Sequence, residues 1–193
     1  MLRRAVFFLF RLSYKLYIKD IASDCMLHEG GRAIHGSYIH MKRQIELGKG
    51  WLLAVYPEHG GKKNPVVNGG GIFLGNHVTA NRELTIYCAE KVTIEDNVMM
   101  GSHILITDND HGTRPDQGEY WEQPLVSKPV IIHNGCWICE RAFILAGSEI
   151  GEKSIVAAGS VVKGYYPPYS MIAGAPARVV RRWNPESGCW EKP

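Results

Sequence analysis

The chain has 193 residues, of which 45% are hydrophobic and 21% charged, values typical of one folded globular domain and not of a disordered segment. Its formal net charge of +3 gives no reason to expect a nucleic-acid partner. The five cysteines are odd in number and irregularly spaced, which argues against a disulfide framework and favours the reducing cytoplasm.

Residues 1–29 are predicted to form an N-terminal amphipathic helical segment. Residues 1–19 include five basic residues and no acidic one, and the longest apolar run, 5–10, is far shorter than the ~20 residues that a transmembrane helix needs. Basic residues among Phe, Leu and Tyr are typical of a helix in the membrane interface, which would place the protein on the cytosolic face of the inner membrane. The same pattern fits a helix packed on the core or between subunits.

A period of six residues runs through residues 30–165 and is the strongest signal in the sequence. Neither an α-helix nor a flat strand places apolar residues six apart. Inward aliphatic residues at this spacing, each followed four positions later by a small residue, predict a triangular parallel β-helix with three faces per coil. The clearest run of inward positions consists of Ile132, Ile138, Ile144, Ile150, Val156 and Val162.

The same period recurs upstream in a different phase. Its inward positions are Ile94, Met100 and Ile106, and Leu74, Ala80 and Ile86 indicate an earlier, less regular coil. The change of phase requires an insertion, and the polar, Gly- and Pro-containing run within about 107–129 predicts a long loop there. A second excursion is predicted at 57–65. Residues 166–193 are predicted to form a C-terminal tail with a short helix.

The repeat, followed by the segment AGAPARVV at 173–180, resembles the hexapeptide-repeat acetyltransferases. The segment VTIEDNV at 92–98 is similar to the maltose and galactoside O-acetyltransferases, and TDNDHG at 107–112 resembles the members that acetylate capsule and lipopolysaccharide sugars. The resemblance covers about 72–183. It implies an all-β, left-handed parallel β-helix and a homotrimer with active sites between subunits.

The resemblance also implies transfer of an acetyl group from acetyl-CoA to a hydroxyl of a sugar or of a surface polysaccharide or lipopolysaccharide precursor, with no metal required. His111 is the candidate general base, a role that contributes about 10²–10⁴-fold. On spacing alone, His111 fits a surface loop residue equally well. Asn81 aligns with an asparagine that contacts the acceptor sugar in the galactoside enzymes. The other residues predicted at the carbohydrate acceptor are Arg82, Asn109 and Asp110.

The resemblance also implies the coenzyme site, because the basic residues near the C-terminus lie where the family docks the phosphate end of coenzyme A. Coenzyme A carries a pyrophosphate and a 3′-phosphate, and the stretch 153–185 is basic without an acidic residue, although such a run can also be a solvated face. Trp137 directly follows a small corner position, so it is predicted to point outward toward the pantetheine arm or a neighbouring subunit. The predicted coenzyme-binding set is Trp137, Ala146, Gly147, Lys163, Arg178 and Arg181.

Two other functional classes stay open. One is an N-acetyltransferase for a nucleotide amino sugar or an antibiotic-like molecule, because the same base and coenzyme site would serve. The other is a zinc-dependent β-helix hydratase or a scaffold, although His103, His111 and His133 lack the ligand spacing of γ-class carbonic anhydrases. Cys136 and Cys139 form a CxxC pair, interpreted as structural. The sequence does not define the sugar, its hydroxyl, or whether the acceptor is free, nucleotide-linked or lipid-linked.

Overall fold

The computed structural model describes residues 18–193, and the predicted N-terminal helix lies mostly outside this range. The described residues form short β-strands and two short 3₁₀ turns, Gly36–Tyr38 and Pro65–Asn68. Within residues 18–193, no helix has the length and apolar character to cross a membrane.

The strands are short and follow one another closely along the chain. The first fourteen are β1 (Asp20–Ile21), β2 (Met26–Leu27), β3 (Arg32–Ile34), β4 (Ile39–Met41), β5 (Glu46–Leu47), β6 (Leu52–Val55), β7 (Glu58–His59), β8 (Lys62–Lys63), β9 (Gly71–Leu74), β10 (Thr79–Ala80), β11 (Thr85–Cys88), β12 (Lys91–Ile94), β13 (Met99–Met100) and β14 (Leu105–Thr107). The rest are β15 (Asn109–Asp110), β16 (Val126–Ser127), β17 (Val130–Ile132), β18 (Trp137–Ile138), β19 (Phe143–Ile144), β20 (Glu149–Ile150), β21 (Ile155–Val156), β22 (Val161–Val162), β23 (Tyr165–Tyr166), β24 (Ser170–Gly174), β25 (Ala177–Asn184) and β26 (Cys189–Glu191).

Three sheets form the faces of a triangular prism. Face A has the order β1-β4-β9-β12-β17-β20-β23, face B has β2-β5-β10-β13-β18-β21-β24-β25-β26, and face C has β22-β19-β14-β11-β6-β3. The chain visits faces A, B and C in turn, and each strand within the coils pairs in parallel with the same face of the next coil; Ile94 lies opposite Ile132, and Ile132 opposite Ile150. The predicted left-handed parallel β-helix is confirmed.

The interior explains the six-residue period. The inward aliphatic residues of successive coils stack on one another and are buried, as Ile106, Ile144 and Val162 are on face C. Small residues occupy the corners because their side chains turn back onto the backbone: the Ser148 hydroxyl donates to the Leu145 carbonyl oxygen at 2.6 Å. Cys136 fills an equivalent corner, where burial raises the pKa of its thiol to about 11. All five cysteines are free thiols.

Two excursions leave the prism at the same corner, where face C of one coil leads to face A of the next. We call it the C–A corner. The excursion at 56–70 contains the antiparallel hairpin β7–β8, and the loop at 108–129 contains the antiparallel pair β15–β16. Inside this loop, the buried Gln123 amide accepts from the Arg114 N–H and donates to the carbonyl oxygens of Arg114 and Gly118, which gives the loop an internal polar core.

The ends of the prism differ from the sequence-based prediction. The β-helix starts at β1, before residue 30, because Ile18, Cys25 and Leu27 already belong to the buried core. The predicted short C-terminal helix is wrong. β24 continues face B, and β25 and β26 add to it as antiparallel strands. The last coil leaves an open sheet edge, and pairing a strand with it satisfies backbone groups that a helix would leave exposed.

Candidate active site

The 108–129 loop is anchored at the C–A corner by Asp108. Its side chain is fully buried, and the carboxylate accepts the backbone N–H groups of Ala89 at 2.7 Å and Glu90 at 2.9 Å. The Asp108 carbonyl oxygen accepts the N–H of Lys128 at 2.8 Å, where the chain returns to the prism. Asp108 therefore ties both ends of the loop to the preceding coil. The sequence analysis missed this role. The available signal was an acidic residue, Asp108, two positions after the last inward residue of a predicted coil, Ile106.

His111 lies three residues beyond this anchor, exposed, in the wall of a cavity of about 400 Å³. Asn109 and Asp110 also line the cavity, so the structure brings three of the predicted site residues together. The Thr107 hydroxyl donates to the Asn109 carbonyl oxygen at 2.8 Å and accepts its N–H at 3.2 Å, which fixes the backbone just before the histidine. The remaining residues that line the cavity are Tyr56, His59, Tyr87, Thr107 and Leu125.

The opposite wall comes from the 56–70 excursion. The rings of His59 and His111 meet edge to face with their centroids 5.0 Å apart. Nε2 of His59 lies 2.8 Å from the carbonyl oxygen of Trp121, which can only accept, so this nitrogen carries the hydrogen. At the hairpin tip, a Cβ on Gly60 would lie 2.6 Å from the Glu122 carbonyl oxygen, so only glycine permits this approach. Sequence reasoning did not identify His59.

Two tyrosines form the floor between the excursions. The rings of Tyr56 and Tyr87 lie 6.1 Å apart, and burial, with a smaller contribution from Tyr87, raises the pKa of Tyr56. The Tyr56 hydroxyl therefore stays protonated at neutral pH and presents a hydrogen-bonding group beside apolar rings, a combination suited to a sugar ring.

Three of the predicted coenzyme residues follow along the same C–A corner. Ala146 and Gly147 form the turn between β19 and β20, and the Gly147 N–H donates to the Lys128 carbonyl oxygen at 3.1 Å. Lys163 occupies the equivalent turn one coil further on and is exposed. The corner therefore presents His111, this glycine turn and an exposed lysine in successive coils.

The other coenzyme residues lie elsewhere in the same chain. Trp137 points outward from face B with 44% of its surface exposed. Pairing between neighbouring strands places Trp137, Ile155, Met171 and Arg181 in one outward column of that face. Arg178 lies opposite Ala173 in the C-terminal hairpin.

Asn81 and Arg82 also lie apart from His111. They form the turn between β10 and β11, at the corner between faces B and C, and line a separate shallow cavity of about 570 Å³ together with Lys49. One chain therefore places the candidate base and two of the candidate acceptor residues at different corners of the prism.

The histidines considered as zinc ligands occupy three different corners. His103 Nδ1 lies 2.8 Å from a carboxylate oxygen of Glu83, and His133 lies between Glu95 and Glu149. Over residues 18–193, no group of three or more His, Cys, Asp or Glu side chains is placed to hold a metal ion.

Known proteins resemble the chain in sequence. The family model described as bacterial transferase hexapeptide (six repeats) matches residues 129–164. The chain is 30% identical over 188 residues to the Escherichia coli protein WbbJ, named as a putative lipopolysaccharide biosynthesis O-acetyl transferase, with 91% of each chain covered. It is 34% identical over 116 residues to the galactoside O-acetyltransferase of Escherichia coli, which covers 60% of this chain and 56% of that enzyme.

Solved structures show the same architecture. Galactoside acetyltransferase in complex with coenzyme A is 33% identical with a TM-score of 0.56, covering 60% of this chain and 57% of that one. AntD, an N-acyltransferase from Bacillus cereus in complex with dTDP and 3-hydroxybutyryl-CoA, has a TM-score of 0.73 and covers 92% of this chain and 89% of that one. Its identity of 14% makes this a likeness of fold.

Proposed function

The chain belongs to the hexapeptide-repeat acetyltransferases, and on this basis we propose that it transfers an acetyl group from acetyl-CoA to a sugar hydroxyl of a surface polysaccharide or lipopolysaccharide precursor. One observation carries the proposal. His111 faces a cavity lined by polar and aromatic groups, on the same corner as the turns predicted to bind the coenzyme. The similarity to WbbJ over 91% of each chain supports the class of acceptor.

The proposed chemistry needs only a base, because a thioester is already activated. Neutral His111 takes the proton of the acceptor hydroxyl while the oxygen attacks the thioester carbon. The new oxygen–carbon bond forms, the carbon–sulfur bond breaks, and the imidazolium returns the proton to the departing sulfur. The products are the acetylated sugar and the free thiol of coenzyme A, and His111 is again neutral.

The C–A corner suits the coenzyme chemically. Lys163 and Lys128 are both exposed at this corner, and ammonium groups make charge-assisted contacts with phosphates. Gly147 has a φ of 78° and lies against the Lys128 side chain, where an added Cβ would be 3.3 Å from Lys128 Cδ. The glycine keeps the turn shallow, so that a flat or extended ligand can approach the backbone.

We also propose a homotrimer in which one subunit supplies His111 and its neighbour supplies Asn81 and Arg82. The separation of these residues in one chain supports a shared site. Face B supports a subunit contact, because its outward surface exposes Met26, Met99 and Trp137. Sedimentation should give a trimer. Mixing inactive His111→Ala and Asn81→Ala subunits should restore part of the activity, because some interfaces then carry both native residues. A mixture that stays inactive would contradict the shared site.

We further propose peripheral membrane contact through residues 1–19, of which the structure describes only the last two. Five basic residues without an acidic one are attracted to anionic lipids at about 1 kcal/mol each. The expected result is binding to anionic but not neutral vesicles, lost on deletion of residues 2–19 while the trimer and the activity on soluble acceptors persist. Dissociation of the trimer on deletion, or indifference of the full chain to anionic vesicles, would assign the segment to subunit packing.

The transfer itself is tested with acetyl-CoA and a panel of glycosides, each paired with the corresponding amino sugar, by following thiol release. We expect acetylation of hydroxyl acceptors, and a kcat about 10²–10⁴-fold lower in His111→Ala with little change in the KM for acetyl-CoA. His77→Ala, at a different corner, is the matched control and should retain activity. Transfer to amines alone would favour the N-acetyltransferase, and full activity of His111→Ala would exclude this histidine as the base.

A further inference from the structure

The β7–β8 hairpin and the 108–129 loop, which are far apart in the sequence, meet next to His111. The hairpin β7–β8 leaves between the second and third coils, whereas the 108–129 loop leaves between the fourth and fifth. His59 contacts the loop at two points, the Trp121 carbonyl oxygen and the His111 ring, and the first of these links residues 62 positions apart. Gly60 adds a close backbone approach to Glu122.

From this geometry we infer that His59 is a positioning residue for His111, an inference that rests on the proposed acetyl transfer. His59 holds the His111 ring by an edge-to-face contact and holds the far side of the same loop by its hydrogen bond to Trp121. The hairpin thus acts as a brace between the prism and the loop.

A brace matters at this position because the base itself has few constraints. The His111 side chain is exposed and belongs to a loop, where side chains exchange rotamers freely unless something packs against them. General-base catalysis needs the imidazole within hydrogen-bonding reach of the acceptor hydroxyl, and a misplacement of about 1 Å can cost about 10²-fold in rate. Asp108 fixes the point where the loop leaves the prism, but it does not restrain the His111 ring. Among the described residues (18–193) that line the cavity, only His59 has a ring contact with the His111 imidazole.

The two contacts of His59 have different chemistry, so substitutions can separate them. His59→Gln keeps a side-chain N–H donor for the Trp121 carbonyl oxygen and loses the ring. His59→Phe keeps a ring for the contact with His111 and loses the donor. His59→Ala loses both. Lys62→Ala is the matched control, because Lys62 pairs with His59 across the hairpin and is exposed.

The experiment measures kcat and the KM for each substrate at matched stability. We expect His59→Ala to lower kcat by about 10-fold or more, with the KM for acetyl-CoA within about 2-fold and the melting temperature nearly unchanged. His59→Gln and His59→Phe should each recover part of the lost kcat, and Lys62→Ala should match the wild type. A wild-type kcat in His59→Ala, or a loss of kcat that follows a loss of stability and is not relieved by either partial variant, would overturn the inference.

A double-variant cycle separates this inference from the proposed function. If His59 acts through His111, then adding His59→Ala to His111→Ala should change the residual rate by less than about 2-fold. Equal effects of His59→Ala in the two backgrounds would show that His59 acts independently of His111. If His111→Ala retains full transfer, the proposed base fails. If only His111→Ala loses activity and His59→Ala does not, the base stands and the brace fails.

Discussion

The carboxylate of Asp108 accepts the backbone N–H of Ala89 at 2.7 Å, a contact between successive coils at the point where the 108–129 loop leaves the prism. Asp108 thereby supplies an acceptor for the Ala89 N–H, which would otherwise be unpaired at the corner where the loop interrupts the coil. The same carboxylate has a second consequence: burial and the neighbouring Asp108 charge together raise the pKa of the Cys88 thiol, which therefore stays protonated. The loop that carries the candidate base is thus held by a buried acceptor and not by apolar packing alone.

Replacing Asp108 by Asn should weaken both stability and activity. An amide NH₂ cannot accept the N–H group that one carboxylate oxygen now accepts, and an unsatisfied buried donor costs about 1–3 kcal/mol. We expect a lower denaturation midpoint and a lower kcat, measured by chemical unfolding and by thiol release. Asp116→Asn, which changes an exposed loop carboxylate paired with Arg114, is the control and should keep the wild-type midpoint. An unaltered midpoint in Asp108→Asn would show that the anchor is dispensable.

The inward position Ile144 tests the coil assignment. It is fully buried between Ile106 of the preceding coil and Val162 of the next. Ile144→Asp should prevent folding, because a charge in this stack has no partner. Ile144→Val should cost only about 0.5–1.5 kcal/mol. Circular dichroism and thermal unfolding measure the folding of both variants. A soluble, cooperatively folded Ile144→Asp protein would contradict the stacked core.

The prism was predictable from the sequence because every coil repeats one local rule. Each inward residue from Ile132 to Val162 meets the same environment, so the six-residue period can be recognised in the sequence before any contact is known. The C-terminal helix was predicted wrongly because the deciding factor, an open sheet edge beside β24, is a property of the assembled fold. His59 could not be found either, since its meeting with His111 depends on two excursions that leave the same corner two coils apart.

The site was only partly predictable for a related reason. His111 and Asn109 share a short motif and stay together, whereas Asn81 and Arg181 belong to turns and strands on other parts of the prism. A linear pattern identifies residues of the right chemistry. It does not reveal which corner each residue occupies until the number of coils between them is known.

The coenzyme prediction concerns Lys163, on the same corner as Gly147. Lys163→Ala should raise the KM for acetyl-CoA severalfold while changing the KM for acetyl-pantetheine little, because only the first donor carries the nucleotide phosphates. Arg178→Ala and Arg181→Ala should show the same selectivity if a neighbouring subunit brings face B to this corner. The effect should shrink as salt rises. Lys153→Ala, at the corner between faces A and B, is the control, and equal losses with both donors would place Lys163 outside the phosphate site.

The last prediction is a pH dependence of stability that originates at His133. Its Nδ1 lies 3.1 Å from Glu95 and its Nε2 lies 3.1 Å from Glu149, so that one ring joins three successive coils. Partial burial opposes protonation, but the hydrogen bonds with Glu149 and Glu95 prevail and raise the pKa of His133. A raised pKa in the folded state means that the protonated ring stabilises the fold fully below the ordinary value of 6.5, and that this contribution disappears as the pH rises through the folded-state pKa.

We therefore expect the melting temperature of the wild type to exceed that of His133→Gln most strongly at pH values below about 6.5, and the two curves to converge as the pH rises further. Glu149→Gln should reduce the same difference, because it removes one of the two charges that favour the imidazolium. His35→Asn is the matched control, since His35 Nδ1 contacts the backbone carbonyl oxygen of Val55 and not a carboxylate. Differential scanning calorimetry from about pH 5.5 to about pH 8.5 measures all four proteins, a window chosen to bracket an ordinary histidine pKa. Parallel curves for the wild type and His133→Gln would mean that the contacts of His133 with Glu95 and Glu149 contribute no stability that depends on protonation of the ring.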